Sequence, residues 1–536
     1  MRRVACLMMG MRNHFVVAGL GLALASSAVA QYDFDRVTML ANIPPVLFGS
    51  SGGNDCWGYV SPSGREYALM GLRNQLAFVE ITDPKNPVWL ASIPHLNSTW
   101  GDIKVYGHHA YAVTEALGSG LQVIDMSQID AGVVTLVRTI DSPGRTHNLA
   151  LDAESGFLYT CGSRNGTGTT MCFSLANPGN PVRVGANSMS ERYQHDAIVV
   201  PYTSGPYAGR QIFFGFSEDR GVDIIDVTNK SNPFLIKRAA YPDMRYCHQG
   251  WLSADRKYLY VDDELDEGGT GNPTRSLIFN VESLENAKYV GTFSSGLLAT
   301  DHNQYFDDGF LFQANYKSGL RIFDTHGRPT NPLAVGSFDT YPESNANGYE
   351  GAWSTYPYFP SGTVIVSDIN RGLFVLDVTE ATTREIMPGK VFAGPDTGLN
   401  GDAKYLELSD DRYVTLQRAN STGRSPAPLE GHFRFYTATS EPLKLRLELE
   451  VSAAQTPMIQ TVEWFDPATQ SYVMSDSHVV NASDLALTLE PPGAPKRFVA
   501  PGTREVHVRV RYVTQNSRFF QNYSVAIDRA VVKTVR

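Results

Sequence analysis

The amino-acid sequence predicts an all-β protein, in which a seven-bladed β-propeller is followed by a β-sandwich. Three observations support this prediction. Short apolar strands that end in an acidic or polar residue recur along the chain, and a Trp or His residue precedes each copy. The interval between these Trp and His markers runs from 43 residues (Trp57 to Trp100) to 54 residues (His248 to His302). Repeats of about 40–55 residues with four strands each are typical of propeller blades, whereas regular strand alternation without such a period is typical of a sandwich.

The composition fits a globular β protein that is rich in turns. The chain has 536 residues, of which 42% are hydrophobic, 11% aromatic and 19% charged, and it contains 47 Gly and 30 Pro. These proportions exclude a collagen, a coiled coil and a disordered chain. The formal net charge is −10, because 55 acidic residues outnumber 45 Lys and Arg. A negative protein does not neutralise phosphates, so we expect no nucleic-acid partner.

Residues 1–30 predict a secretory signal peptide. Arg2, Arg3 and Arg12 form a basic start, an apolar run follows, and Ala28-Val29-Ala30 is a small-x-small cleavage site. We therefore expect a secreted protein of the extracellular region, with the periplasm or the cell surface as alternatives. No later run reaches the roughly 18 apolar residues of a transmembrane helix, so none is expected in the mature chain.

The recurring phrase is an apolar strand followed by a turn that often contains Asn-Pro or Asp-Pro. Its copies are Phe78 to Pro84, Leu121 to Asp125, Val222 to Asp226, Leu320 to Asp324 and Leu373 to Asp377. A solenoid is the competing interpretation. Val37 to Pro44 resembles an outer strand but precedes the first unit, so it can complete the last blade and close the ring. The alternative is an extra edge strand on the first blade.

The period stops near Ala393. Leu443 to Val451 and Val506 to Val513 then alternate regularly between apolar and polar residues, which predicts a β-sandwich of about 140 residues. The predicted domains are therefore a signal peptide (1–30), a propeller (31–392) and a β-sandwich accessory domain (393–536).

The markers and several acidic turns are predicted to meet at one mouth of the propeller channel. The start of the first strand of a blade and the turn between its second and third strands lie on the same face of the ring. The residues at the first position are Trp57, Trp100, His147, His195, His248, His302 and Trp353. The candidate ligand-binding residues are Trp57, Trp100, Trp353, Glu115, Glu218, Asp262, Asp263 and Asp368.

His147, His195, His248 and His302 are the candidate metal ligands. Neutral imidazoles bind Zn²⁺ or Cu²⁺, and nearby carboxylates such as Asp196 or Asp301 can fix the imidazole tautomer. The alternative is that the four histidines bond to backbone and only support the blades. The acidic run Asp262 to Glu267 allows a Ca²⁺ site, but it lacks the order of a calcium loop, and a solvated acidic turn is the preferred interpretation.

Four cysteines remain outside the predicted signal peptide. Cys161 and Cys172 lie on two predicted neighbouring strands, so a cross-strand disulfide between them is expected in an exported protein. Cys56 and Cys247 belong to blades that are not neighbours. We expect these two to be separate buried thiols.

Several stretches resemble the exported bacterial choice-of-anchor B family, whose units are also called LVIVD repeats. They are Cys56-Trp57-Gly58-Tyr59, Gly64 to Leu69, Trp100 to Tyr106, His248 to Leu252 and Val261 to Glu267. The resemblance covers roughly residues 35–390 and implies a propeller and export. The C-terminal part is similar to a β-sandwich module at the ends of exported bacterial proteins. Neither resemblance implies an established activity.

No complete catalytic constellation is present in the sequence, and no catalytic residue is predicted. The leading hypothesis is an exported, non-catalytic binding or interaction protein that uses the upper face of the propeller. The alternative is a metal-dependent enzyme or a metal-binding propeller that uses the four histidines, with Zn, Cu or Ca as the cofactor. The expected partner is an extracellular protein, a glycan or a small ligand, and we expect a monomer.

Overall fold

The structure of the protein is a computed structural model that describes residues 32–164, 170–187, 193–419, 428–453, 457–514 and 523–536. The predicted signal peptide lies outside the described residues. In the described part of the chain, antiparallel strands are joined by turns, six short 3₁₀ segments and one short α-helix, α1 (Asp266–Thr270). The all-β prediction is therefore confirmed.

Two short strands, β1 (Phe34–Asp35) and β2 (Thr38–Ile43), precede a series of four-stranded antiparallel sheets. The first two sheets contain β3 (Gly53–Val60), β4 (Glu66–Leu72), β5 (Gln75–Glu80), β6 (Val88–Pro94), β7 (Gly101–Tyr106), β8 (His109–Thr114), β9 (Leu121–Gln128) and β10 (Val133–Ile140). The next two contain β11 (Asn148–Asp152), β12 (Phe157–Cys161), β13 (Thr170–Ser174), β14 (Val182–Asn187), β15 (Asp196–Tyr202), β16 (Arg210–Phe216), β17 (Val222–Asp226) and β18 (Phe234–Ala239).

The series continues in the same order. Its strands are β19 (Cys247–Leu252), β20 (Tyr258–Asp263), β21 (Arg275–Asn280), β22 (Lys288–Ser294), β23 (Asn303–Asp307), β24 (Phe310–Ala314), β25 (Leu320–Asp324), β26 (Leu333–Phe338), β27 (Ala352–Tyr356), β28 (Thr363–Asp368) and β29 (Gly372–Asp377). The first strands of neighbouring sheets contact each other in chain order, and β27 in turn contacts β3. The four-stranded sheets therefore close into a circle.

The N-terminal strand β2 completes the last of these sheets. It pairs antiparallel with β29, with Thr38 opposite Asp377 and Ile43 opposite Leu373, so the sheet order is β2-β29-β28-β27. The Asn42 side chain donates to the carbonyls of Arg371 and Leu373. The outer strand expected from Val37 to Pro44 therefore lies on the last sheet and not on the first. The shorter β1 adds to the outer edge of β26.

The hydrophobic core lies between the faces of neighbouring sheets. Strands near the centre are buried on both faces, and every residue of β4 is buried, whereas β6 and β10 are largely exposed at the periphery. One core cluster, for example, joins Tyr67 and Phe78 of one sheet to Ile103 and Ile124 of the next. Double-sided burial explains the apolar runs in the repeated phrase.

The C-terminal part contains two further sheets. One has the order β32-β33-β40-β35-β38 with β30 paired to β40, and the other has the order β31-β34-β39-β36-β37. Their strands are β30 (Thr383–Ile386), β31 (Lys390–Ala393), β32 (Thr397–Asn400), β33 (Val414–Arg418), β34 (Leu429–Tyr436), β35 (Lys444–Ala453), β36 (Met458–Asp466), β37 (Ser471–Val480), β38 (Leu485–Leu489), β39 (Glu505–Thr514) and β40 (Ser524–Val535). Both sheets contribute to one hydrophobic core around Trp464. β30 and β31 begin before the predicted boundary at residue 393.

The C-terminal sheets contact the circle of sheets through Arg536. Its guanidinium donates to the Pro357 carbonyl at 2.6 Å and pairs with Asp307, and it lies 4.5 Å from the centroid of the Phe312 ring. The Arg536 side chain is 1% exposed. A buried, paired guanidinium therefore joins β40 to the sheet that contains β23.

Polar side chains bond the first strands to one another around the channel. Asp55 accepts from the Ile103 amide, and Asp102 accepts from the Leu149 amide of the following sheet. Further round the circle, Gln249 exchanges two hydrogen bonds with the backbone of Gln304, at 3.0 and 3.1 Å. These contacts fix β3 against β7, β7 against β11 and β19 against β23.

Lys104 is the charged centre of this network. Its ammonium lies 2.7 Å from Asp102 Oδ1, 4.0 Å from Asp55 Oδ2 and 4.5 Å from the Trp57 ring centroid. Burial disfavours the charged form, but the Asp102 and Asp55 carboxylates outweigh it and raise the pKa of Lys104. Lys104 is therefore a permanent buried cation that neutralises acids from two sheets.

The predicted disulfide between Cys161 and Cys172 is wrong. All four described cysteines are buried free thiols. Cys172 lies opposite Tyr159 in the β12–β13 pair, so Cys161 is its diagonal neighbour, two residues along the strand. Diagonal neighbours are roughly 7–8 Å apart, beyond the usual Cα separation of a disulfide.

No helix in the described residues is long and apolar enough to span a bilayer.

We predict that Lys104→Met strongly destabilises the protein. The substitution leaves the Asp55 and Asp102 carboxylates buried without a cation, so the free energy of unfolding falls by about 3–5 kcal/mol. Urea unfolding followed by intrinsic fluorescence measures this change. Lys85→Met, in an exposed turn, serves as the control and leaves the midpoint unchanged. An equal midpoint for the two variants would contradict a structural role for the Lys104 cation.

We also predict that Cys161 and Cys172 are reduced in the purified protein. Because both thiols are buried, neither reacts with iodoacetamide under native conditions, and both become alkylated after unfolding without a reductant. Peptide mass spectrometry reports the modification at each position. Recovery of a disulfide-linked Cys161–Cys172 peptide would contradict this prediction.

Candidate functional site

Four histidines from successive sheets lie side by side at one mouth of the channel. The ring centroids of His147 and His195 are 4.2 Å apart, those of His195 and His248 are 4.2 Å apart, and those of His248 and His302 are 4.4 Å apart. Trp353 continues the row, 4.8 Å from His302. Each histidine lies at or next to the start of a first strand, and contact between first strands brings the imidazoles together.

The Nδ1 atom of each imidazole has a partner. His147 Nδ1 lies 2.7 Å from Glu115 Oε1, and His248 Nδ1 lies 2.8 Å from Asp262 Oδ1. His195 Nδ1 donates to the His248 carbonyl, and His302 Nδ1 donates to the Trp353 carbonyl. A carbonyl only accepts, so the neutral rings of His195 and His302 carry their proton on Nδ1 and present the Nε2 lone pair.

Glu264 faces the Nε2 atoms of two of these rings. Its Oε2 lies 3.8 Å from His248 Nε2, and its Oε1 lies 3.8 Å from His302 Nε2. The Tyr316 hydroxyl donates to Glu264 Oε1 at 2.7 Å and orients the carboxylate. His195, His248 and Glu264 each offer a ligand atom within 4.8 Å of the others, the only such set of three in the described residues.

The electrostatics of the cluster favour neutral nitrogen ligands. Burial, reinforced by neighbouring imidazoles, holds the pKa of His195 and of His248 well below its usual range, and burial lowers the pKa of His302 to about 3. Burial raises the pKa of Glu264 to about 6 against the hydrogen bond from Tyr316. At neutral pH His195, His248 and His302 are therefore neutral and Glu264 is ionised, and these groups are a suitable donor set for a divalent transition metal.

Glu115 and Glu218 lie on the rim of the mouth. Besides His147, Glu115 contacts the guanidinium of Arg145 at 3.5 Å and that of Arg164 at 3.8 Å. The backbone of Glu218 exchanges two hydrogen bonds with that of Cys247, and its φ of +50° marks a tight turn. Glu115 therefore orients His147, whereas Glu218 connects neighbouring sheets through its main chain.

The remaining predicted carboxylates mainly hold local structure. Asp262 also accepts from the Gln249 amide, and Asp263 accepts from four donors in the loops before β19 and after β20. Asp368 accepts from the amides of Asn370 and Arg371 in the turn that follows β28. Asp196 accepts from the Ala197 amide. Of this group, Asp262 contacts a candidate metal ligand directly.

The three predicted tryptophans occupy different environments. Trp57 lies inside the channel wall, with its ring centroid 5.1 Å from that of Tyr356 and 5.8 Å from that of Tyr305. Trp100 is 47% exposed, and Trp353 is buried against His302. The structure therefore brings Trp353, but not Trp57, to the histidine cluster.

Glu264 was not among the residues selected from the sequence as ligands. One feature of the sequence could have indicated Glu264: it directly follows β20, and β20 pairs with the start of β19, where His248 lies. Charge alone did not distinguish Glu264 from the four other acidic residues of the run Asp262 to Glu267, because the side-chain direction within that turn depends on the backbone.

Comparison with protein families finds one match. Residues 217–240 match the model of the LVIVD repeat. No curated protein sequence matches the chain. Together with the closed circle of four-stranded sheets, the repeat confirms the predicted β-propeller.

The solved structures that match the chain have little sequence in common with it. The structure called U3-55K is 7% identical with a TM-score of 0.45, and the match covers 64% of this chain and 98% of that one. Hydrazine synthase from Kuenenia stuttgartiensis is 12% identical with a TM-score of 0.42 and coverages of 60% and 94%. A putative 6-phosphogluconolactonase from Bacteroides fragilis NCTC 9343 is 11% identical with a TM-score of 0.41 and coverages of 59% and 88%.

Proposed function

We propose that this chain is an exported, non-catalytic binding protein, in which a seven-bladed β-propeller binds a divalent transition-metal ion at the mouth of its channel. The closed circle of sheets supports the blade count, and the two C-terminal sheets around one core support a β-sandwich. Export rests on the signal sequence in residues 1–30. Membership of the choice-of-anchor B family, suggested by the quoted motifs, belongs to the same proposal.

The convergence of His195, His248 and Glu264 carries this proposal. Two imidazole nitrogens and one carboxylate oxygen form a common donor set for zinc. Each ligand also has a second partner that orients it: the His248 carbonyl for His195, Asp262 for His248 and Tyr316 for Glu264. Metal sites characteristically orient their ligands through such partners.

If the histidines only supported the blades, one bonded nitrogen in each ring would be enough. A histidine that only supports a blade needs one satisfied nitrogen, and the Nδ1 bonds already supply it. Within the described residues, the Nε2 atoms of His248 and His302 have Glu264 as their nearest acid at 3.8 Å, which is longer than a hydrogen bond. A metal ion between the Nε2 atoms and the carboxylate accounts for this spacing.

A metal-dependent enzyme is the second candidate. Three protein ligands leave a position open on a tetrahedral ion, and a water molecule bound there becomes acidic enough to act as a nucleophile. This candidate predicts metal-dependent hydrolysis of a model ester or lactone that is lost in His248→Ala. The leading proposal predicts metal binding without turnover.

We predict that the purified protein, stripped with EDTA and dialysed, binds about one equivalent of Zn²⁺ or Cu²⁺ in isothermal titration calorimetry. His195→Ala, His248→Ala and Glu264→Gln each remove stoichiometric binding, because each removes a ligand. Tyr316→Phe keeps the ligands but loses the bond that orients Glu264, so the affinity falls about 10- to 100-fold.

His326→Ala is the matched control for the metal titration. His326 also bonds an aspartate through Nδ1, to Asp324 at 2.7 Å, but it follows β25 and does not belong to the cluster. This variant retains wild-type affinity. The proposal fails if the wild-type protein shows no saturable binding of either ion tighter than about 1 mM, or if His195→Ala binds as tightly as the wild type.

A further inference from the structure

A second acidic cluster lies next to the histidines, where α1 meets the segment before β23. Asp266 and Glu267 begin α1, and Asp301 immediately precedes His302. Asp266 is 0% exposed, Glu267 5% and Asp301 1%. The interpretation of this run as a solvated acidic turn is therefore wrong, because the loop folds inward against the neighbouring sheet.

Four carboxylate oxygens of this cluster have no hydrogen-bond partner among the described residues. They are Asp266 Oδ1, Glu267 Oε2 and both oxygens of Asp301. Asp263, three residues before Asp266, shows the contrast, because its two oxygens accept from the Tyr241 hydroxyl and from the amides of Arg245, Tyr246 and Leu265. The loop therefore satisfies one buried acid completely and leaves three others incomplete.

The positive charge around the cluster does not match its negative charge. Arg275 pairs with Asp266 through Oδ2. Glu267 Oε1 accepts the Asp301 amide at 3.3 Å, and no side-chain cation pairs with Glu267 or Asp301 in the described part of the chain. Burial and the mutual repulsion of these acids raise the pKa of Asp301 well above its usual range and that of Glu267 to about 8.

Buried carboxylates without partners are costly, and the cost is relieved either by shared protons or by a cation. We propose that a hard divalent cation, Ca²⁺, binds between Asp301 and Glu267, with Asp266 Oδ1 as a further ligand. Calcium takes six to eight oxygen ligands and accepts carboxylates in mono- or bidentate geometry, so it suits a site with only oxygen donors. This site is separate from the His195–His248–Glu264 set, where nitrogen ligands dominate.

The carboxyl groups of the proposed calcium site must move towards one another to bind the ion. In the described residues, only His195, His248 and Glu264 place three ligand atoms within 4.8 Å of one another. The oxygens of Asp266, Glu267 and Asp301 do not all lie within that distance of one another, so the proposed calcium site requires side-chain rotation to bring them together. Because Asp301 belongs to the next sheet in the circle, the ion connects the sheet of β19–β22 to the sheet of β23–β26.

Thermal unfolding of the full chain with and without calcium tests this proposal. After treatment with EGTA and dialysis, about 5 mM Ca²⁺ raises the Tm by about 2–4 °C, as expected for a ligand that binds only the folded state at a Kd in the range of extracellular calcium sites. Equilibrium dialysis with ⁴⁵Ca²⁺ gives about one bound ion per chain. Asp301→Asn and Glu267→Gln each abolish the Tm rise and the bound ion.

Two control variants separate this site from other effects. Asp255→Asn removes an exposed carboxylate on a turn and retains the calcium response. His248→Ala removes a ligand of the transition-metal site and also retains the calcium response. The two proposed sites are therefore tested independently of each other.

Three outcomes overturn the calcium site: no saturable ⁴⁵Ca²⁺ binding to the wild-type protein, an unchanged calcium response in Asp301→Asn, or a loss of the response in Asp255→Asn. If calcium has no effect and Asp301→Asn unfolds at a higher temperature than the wild type, the carboxyl groups share a proton instead of a metal ion.

Discussion

The hydrogen bonds between neighbouring first strands are the interaction on which the rest of the structure depends. Around the channel, side chains such as Asp102 and Gln249 accept or exchange bonds with the backbone of the next sheet, and Lys104 neutralises the acids among them. These bonds set the distance between first strands. The same distance places successive imidazoles 4.2–4.4 Å apart, so a metal centre can form without any long loop to carry its ligands.

The acidic run Asp262 to Glu267, which begins in β20, divides its side chains among several roles. Asp262 orients His248, Asp263 accepts four bonds that hold the turn, and Glu264 faces the imidazoles. In α1, Glu267 then accepts from the Asp301 amide, and Asp266 pairs with Arg275. The change from strand to helix α1 at this point explains the division, because side chains alternate along a strand and then follow the helical period.

Periodicity made the larger features predictable. The interval between Trp and His markers predicted the sheets and the convergence of the four histidines, and the unpaired strand before Cys56 predicted the pairing of β2 with the last sheet. Periodicity did not predict the register of paired strands or the burial of individual side chains. A shift of two residues separates Cys161 from Cys172, and nothing in a run of acids shows that Asp266 and Glu267 are buried. Trp57 matched the marker pattern, but it lies deeper in its strand than the histidines do.

The pairing of β2 with β29 also constrains the order in which the chain can fold. Asn42 bonds to residues 329 and 331 positions further along the chain. Contacts of such long sequence separation form late, because the loop they close must be ordered first. Until β2 docks, β29 has no outer partner and the last sheet keeps an unpaired edge. The last sheet is therefore open to pairing with another chain during folding, until β2 docks.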